Sequence, residues 1–159
     1  MEQVHIYTDG SSRGNPGPGG YGIVMIWVGK KYKKEFSQGY RRTTNNRMEL
    51  LAVIEALEKI KMDQVQITVF TDSKYVSDAV NKNWIAGWIK RKWKNVKNPD
   101  LWKRFIKAFN RTQPKMQWVK GHNDHPINER CDALAVGAAL NKSNHLVDEG
   151  FEASEKGLF

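Results

Sequence analysis

The sequence predicts an α/β fold: a five-stranded mixed sheet with helices on both faces, in one chain of 159 residues. Three observations carry this. Strand-like stretches at residues 4–8, 21–28 and 31–40 follow one another with only turns between them, the pattern of an antiparallel meander. Two later stretches, 65–70 and 116–119, are each reached through helical spacing, so both return parallel to the first strand by right-handed crossovers. The length suits a single domain, which at this size buries roughly 68–70% of the surface its unfolded chain exposes.

Element by element, Val4-His5-Ile6-Tyr7-Thr8 alternates at period two and reads as a strand. Residues 14–20, GNPGPGG, read as a loop, and Gly29-Lys30 as a hairpin turn between the second and third strands. Met48, Leu50, Leu51, Val53, Ile54, Leu57 and Ile60 recur at helical spacing. VQITVF at 65–70 is a β-branched strand. Ser73 then serves as N-cap for a helix holding Tyr75, Val76, Ala79 and Val80, and Trp84, Ile85, Trp88 and Ile89 continue at the same spacing. Pro99-Asp100 opens another helix, with Leu101, Phe105, Ile106 and Phe109 on one face. The last helix spans 127–141 and includes Cys131, Leu134, Ala135 and Ala138. Residues 1–142 form the expected domain, and 143–159 a polar, loose tail.

The net charge is +9, and it is uneven. Residues 82–107 hold nine Lys or Arg and one acid, Asp100. A basic stripe is the footprint of a polyanion binder, although a solvated surface looks the same. One cysteine excludes an internal disulfide, and a reducing compartment fits. His5 and Asp9 interrupt the N-terminus too early for a signal peptide, and the apolar run at 21–28 is far too short to span a bilayer. A soluble, cytoplasmic protein without a membrane partner is expected.

Four acids are hard to explain by folding alone: Asp9, Glu49, Asp72 and Asp132. Asp9 and Asp72 end strand patterns, and ligands of such sheets gather at the carboxyl ends of neighbouring parallel strands. Glu49 and Asp132 lie in helical patterns. Each has a bland alternative. Asp9 could be a turn acid, Glu49 could close a capping box with Asn46, Asp72 could complement a helix macrodipole, and Asp132 could face solvent. Held together, four carboxylates would repel one another unless a hard divalent cation offset the charge. Oxygen ligands suit Mg²⁺ or Mn²⁺ rather than Zn²⁺, and two such ions can clamp a phosphodiester. The loop Gly121-His122-Asn123-Asp124-His125-Pro126 adds a histidine that could move a proton near neutral pH, or could simply shape the loop.

Thr8-Asp9-Gly10-Ser11 with GNPGPGGYG, TTNNRMEL at 43–50, Thr71-Asp72-Ser73, Gly121-His122 with His125-Pro126, and Asn128-Glu129-Arg130-Cys131-Asp132 together resemble the type 1 ribonuclease H (HI) family over about residues 2–142. The resemblance implies a ribonuclease H-like fold with strand order 3-2-1-4-5. It implies hydrolysis of the RNA strand of RNA–DNA hybrids, without sequence specificity, giving 5′-phosphate and 3′-hydroxyl ends. Asp9, Glu49, Asp72 and Asp132 match the acids that bind two Mg²⁺, for which Mn²⁺ can substitute, and His122 matches the loop histidine that assists proton transfer. Asp124 departs from the small residue usual there, which bears on the loop's behaviour.

Only RNA carries the 2′-hydroxyl, and reading it calls for small polar groups and close backbone approach. By resemblance, Asn15, Asn45 and Asn46 make those contacts. Thr44, Lys97 and Asn98 resemble the pocket for a DNA phosphate. Trp84, with Lys90, Arg91 and Lys92, resembles the basic protrusion of bacterial members, whereas Trp88 is expected to pack. The rival readings are a DNA-cutting enzyme of the same fold, a silent hybrid-binding module and a reverse-transcriptase domain. TTNNRMEL and GHNDH argue against the first, and retention of all four acids and His122 against the second. Met1 directly before the first strand favours a separate protein over the third, and a monomer is expected.

Overall fold

Alternation in the first strand is not simply apolar against polar, because both of its faces are covered. In the computed structural model, which describes residues 1–121 and 125–157, β1 (Glu2–Ser12) buries Val4, Ile6, Tyr7 and Thr8. It pairs antiparallel with β2 (Gly17–Trp27), which pairs antiparallel with β3 (Tyr32–Thr43). On its other side β1 pairs parallel with β4 (Val65–Thr71), and β4 with β5 (Lys115–Trp118), giving the expected order 3-2-1-4-5.

Helix α1 (Asn45–Lys59) fills one face. Met48, Leu50, Val53, Ile54 and Leu57 are fully buried there, beside Ile6, Ile23 and Val69. The layer is completed by α2 (Lys74–Asn81), α3 (Trp84–Lys90) and α4 (Pro99–Thr112). Trp102 and Phe105 of α4 are buried edge to face, 5.2 Å between ring centres. Arg111 donates to the carbonyls of Leu57 and Ile60, satisfying the open end of α1. Trp88 stands edge-on to Trp102 at 5.0 Å, so it packs, as the spacing suggests. The helical run through 73–89 is in fact two helices, broken where Asn83 takes a left-handed conformation (φ 58°).

The second face belongs to α5 (Pro126–Leu140), whose buried Cys131 packs with Tyr7 and Val24 of the sheet. Here the structure extends the strand reading. Residues 17–20, expected in a loop, open β2. Gly20 shows why glycine stands there: a Cβ on it would collide with the Ala135 carbonyl, as one on Gly22 would with the Cys131 carbonyl and one on Gly39 with the Ala138 carbonyl. Glycine on the sheet and Cys131, Ala135 and Ala139 on the helix let the two backbones approach.

The tail also differs from its expected looseness. Lys142–Asn144 form a 3₁₀ turn, Tyr40 and Leu146 form a parallel bridge, and α6 (Glu149–Glu155) lies beside β3. Its acids answer the basic end of β3: Arg41 binds Glu152, and Arg42 binds Glu155, through paired hydrogen bonds of 2.7–3.0 Å. Among the described residues no helix is long and apolar enough to cross a membrane.

Gly22→Ala should therefore lower unfolding stability by about 2 kcal/mol, because overpacking has no room to relax against helix backbone. Urea unfolding checks this, and a decrease below about 0.5 kcal/mol, the usual range for an ordinary surface change, would contradict the packing account.

Candidate active site

Strand register brings the first two acids together. The last pair of the β1–β4 ladder is Tyr7 with Phe70, and those rings stack at 4.6 Å. Asp9 and Asp72 each lie two residues further on, past the carboxyl end of the parallel ladder, although β1 itself continues beside β2 to Ser12. Asp72 is held from both sides of its peptide: its carbonyl accepts from the Trp118 indole at 3.0 Å, and Val119 N–H donates to Thr71 O at 2.9 Å. That second bond steers the chain after β5 across the site, where a Cβ on Gly121 would press on the Asp72 carboxylate at 2.7 Å.

Glu49 arrives from α1. The helix is capped by Thr44, whose hydroxyl accepts from Arg47 N–H at 3.3 Å, so the capping box proposed for Glu49 does not form. Glu49 is left facing the strand ends. A Cβ on Gly10 would collide with the Met48–Glu49 peptide, so Gly10 lets the start of α1 lie directly beside Asp9. Ser73 has two duties: its hydroxyl caps α2 by accepting from Val76 N–H at 3.2 Å, and it lies near enough to the Glu49 carboxylate to favour its charged form. Asp132 comes from α5, on the turn after Asn128, whose N–H is capped by His125 Nδ1; the His125 ring stacks on Tyr7 at 5.4 Å.

The electrostatics follow from this placement. Burial pushes the Asp9 carboxyl up to about 8, reinforced by Asp72, Asp132 and Glu49 and opposed by the Gly10 N–H. Burial pushes Glu49 up to about 7, with Asp72 adding to the rise and Ser73 opposing it. The acids therefore sense one another across four separate elements.

Five of the expected substrate contacts share one cleft of about 1050 Å³: Asn15, Thr44, Asn46, Lys97 and Asn98. Asn45 stands at its edge, where its side-chain oxygen accepts from Ser12 N–H at 2.8 Å while its own N–H donates to Asn15 Oδ1 at 3.1 Å. Trp84, Lys90, Arg91 and Lys92 lie elsewhere, on or just after α3, a helix that buries no residue. Trp84 is 43% exposed. His122 and Asp124 lie outside the described residues.

Two site-supporting residues escaped the sequence reading. Arg47 is only 3% exposed. It binds Asp100 through both terminal nitrogens at 2.7 and 2.9 Å, Asp148 at 2.8 and 2.9 Å, and the Asn98 side-chain oxygen at 3.2 Å. Asp148, from the supposed tail, is equally buried and also accepts from the Thr43 hydroxyl at 2.7 Å. Burial lowers the Arg47 pKa, but the hydrogen bonds to Asp100 and Asp148 raise it further, so the guanidinium stays charged. A signal was present: Arg47 falls on the same helical face as Leu50, Leu51 and Ile54, where a cation demands buried partners.

The family model described as RNase H matches residues 1–140. The chain belongs to the RNase H family. A Ribonuclease H of Pseudoalteromonas atlantica is 52% identical over 157 residues, spanning 96% of this chain and 99% of the relative, and one of Citrobacter koseri is 51% identical over 158, spanning 96% and 98%. Among solved structures, LC9-RNase H1, a type 1 RNase H with the type 2 active-site motif, matches with a TM-score of 0.79 at 34% identity, covering 96% of this chain and 80% of that one. LC11-RNase H1 in complex with RNA/DNA hybrid matches with a TM-score of 0.62 at 29% identity, covering 86% and 96%.

RNase H enzymes depend on divalent metal, and the donor set here fits that requirement. Asp9, Glu49 and Asp72 offer only carboxylate oxygens, the choice of hard cations, and the raised affinity of Asp9 and Glu49 for protons marks a surplus of negative charge. Among the described residues no three His, Cys, Asp or Glu already form a ready cage for an ion. Mutually repelling carboxylates are not expected to close on one another unaided.

The sign of the pH dependence follows. An acid with a raised folded pKa stays protonated after its unfolded counterpart ionises, so stability falls as pH rises from about 4 to about 8. In chelator, Asp9→Asn should be more stable than the parent by about 2 kcal/mol at pH 9, with the gap closing toward pH 4. Denaturant unfolding at both pH values measures this, and equal stability at pH 9 would contradict the strained-carboxylate account.

Proposed function

We propose that this RNase H is a monomeric, sequence-nonspecific endonuclease that hydrolyses the RNA strand of RNA–DNA hybrids at Asp9, Glu49, Asp72 and Asp132. The observation that carries the reading is the convergence of Asp9 and Asp72 past the carboxyl end of the parallel ladder, with Glu49 and Asp132 sensed by Asp9, in a chain of net charge +9. A negative cluster in a positive protein suits a site where cations meet phosphate. The four acids would hold two Mg²⁺, or Mn²⁺ in their place, which when bound would activate water and offset charge on the leaving oxygen.

The remaining work falls to this chain's own side chains. Asn15, Asn45 and Asn46 present amide groups at the cleft for the 2′-hydroxyls that distinguish RNA. Thr44, Lys97 and Asn98 would seat a phosphate of the DNA strand. Trp84 offers an exposed ring for a sugar, and Lys90, Arg91 and Lys92 neutralise phosphates along the basic stretch. His122 would carry a proton as product departs, leaving 5′-phosphate and 3′-hydroxyl ends. A cytoplasmic location agrees with a hybrid substrate.

Strand-labelled hybrid, duplex RNA and duplex DNA, each incubated with Mg²⁺ and with EDTA, test the reading. Only the RNA of the hybrid should be cut, and only with metal. Asp9→Asn should reduce turnover by about a thousandfold or more. Cleavage of the DNA strand, or near-parental turnover by Asp9→Asn, would refute the assignment. Neutralising Lys90, Arg91 and Lys92 together should flatten the salt dependence of hybrid binding by about 0.9 for each phosphate left without its cationic partner. An unchanged slope would remove α3 from the binding surface.

A further inference from the structure

The cleft that gathers the expected DNA-strand contacts has a second wall. Facing Thr44, Lys97 and Asn98 are Gly150, Phe151 and Ser154, all from α6, in the segment the sequence reads as a tail. We propose that this C-terminal strap is a working wall of the hybrid cleft: Phe151 packs against the DNA strand there, and Asp148 is a positioning residue that fixes Asn98 through Arg47. The proposal rests on the hybrid-cleaving reading above and specifies which part of the chain shapes that substrate's path.

Three observations carry it. First, the strap is anchored rather than merely adjacent. Asp148 is 7% exposed and accepts hydrogen bonds from the Thr43 hydroxyl, from Arg47 and, at 3.3 Å, from Phe151 N–H. Gly150 lies against the Asp100 carboxylate so closely that a Cβ would collide with it. Outside this anchor, Glu152 and Glu155 hold Arg41 and Arg42.

Second, the anchor and the cleft share one side chain. Arg47 gives its Nε and one terminal nitrogen to Asp148, and the other terminal nitrogen to Asn98 Oδ1 and Asp100. The other end of the Asn98 amide donates to the Tyr75 hydroxyl at 3.0 Å, which in turn accepts from the Trp102 indole at 2.8 Å. Asn98 is thus oriented from both ends, with one amide hydrogen left for a phosphate oxygen. Its backbone is left-handed (φ 57°), so its geometry depends on these partners more than that of an ordinary loop residue. Without Asp148, one of the two carboxylates that fix the guanidinium is gone.

Third, most of the strap's charge is matched. Asp148 is paired with Arg47, and Glu152 and Glu155 with Arg41 and Arg42, which leaves Glu149 as the strap acid lining the cleft with Phe151 and Ser154; Asp100, on the opposite wall, is also bound by Arg47.

The test is hybrid binding by fluorescence anisotropy in EDTA, with cleavage kinetics in Mg²⁺ measured in parallel on folded protein. Phe151→Ala, which removes a partly buried ring at the cleft, should weaken hybrid binding about fivefold, and Asp148→Asn about tenfold, on the scale where each factor of ten is one decade in Kd. Both should raise KM and leave kcat within about twofold, since neither residue touches the reacting phosphate. Ser143→Ala, which loses only a surface hydrogen bond to Asn141 and changes no charge, should leave binding unchanged. If Phe151→Ala and Asp148→Asn fold and bind hybrid as the parent does, the strap is a structural brace and the proposal falls. If they lose kcat at unchanged Kd, the positioning role falls as well. A parent protein that binds hybrid but cuts neither strand would instead refute the hydrolytic reading and leave the strap's binding role to be judged on Kd alone.

Discussion

Parallel pairing of β1 with β4 is the constraint on which the site depends. A ladder ending at Tyr7 and Phe70 leaves Asp9 and Asp72 side by side, and neither can move away without breaking that register. Both sheet faces are covered, so a slip of one residue would turn Ile6 and Val69 out of one core and Tyr7 out of the other. The core therefore enforces the proximity of two like charges, and that proximity costs stability wherever both are ionised. The fold holds a strained pair in place, as expected where a site is built to receive cations.

Around that pair, closeness comes from what is absent. Gly10 admits the start of α1 and with it Glu49; Gly22 and Gly39 admit α5, the helix that carries Asp132. Arg47 then joins the start of α1 to the start of α4 and to the C-terminal strap. Removing one partner from such a buried ion cluster commonly costs about 3–5 kcal/mol, far more than a surface pair contributes. One cation thus links the core, the cleft and the chain end.

Strands β1 and β4 were legible because each leaves a local trace, alternation in VHIYT and β-branching in VQITVF, and the acid that follows each pattern marked Asp9 and Asp72; the order 3-2-1-4-5 came from the motifs' resemblance to a family. The strand character of residues 17–20 was hidden, because glycines chosen for a close helix look like glycines chosen for a turn. Asp148 was hidden for a different reason. Its meaning depends on Arg47, 101 positions away, and an acid in a polar segment carries no sign that it will be buried. Arg47 itself could have been flagged from its apolar helix face, although its partners could not. Helical spacing put Trp84 and Trp88 on one face and could not separate them; the resemblance set Trp84 apart, and in the structure Trp88 packs on Trp102 while Trp84 stays exposed.

On the proposed reading, Asp9 and Glu49 carry protons until a cation takes their place. Calorimetric titration of the protein with Mg²⁺ or Mn²⁺, in buffers of different ionisation enthalpy, counts those protons directly. With carboxyls at about 8 and about 7, binding at pH 7 should release on the order of one proton or more, and the release should vanish above about pH 9. Asp9→Asn should both weaken metal binding and reduce the protons released. Metal that binds at pH 7 with no proton release, and as tightly to Asp9→Asn as to the parent, would contradict the account.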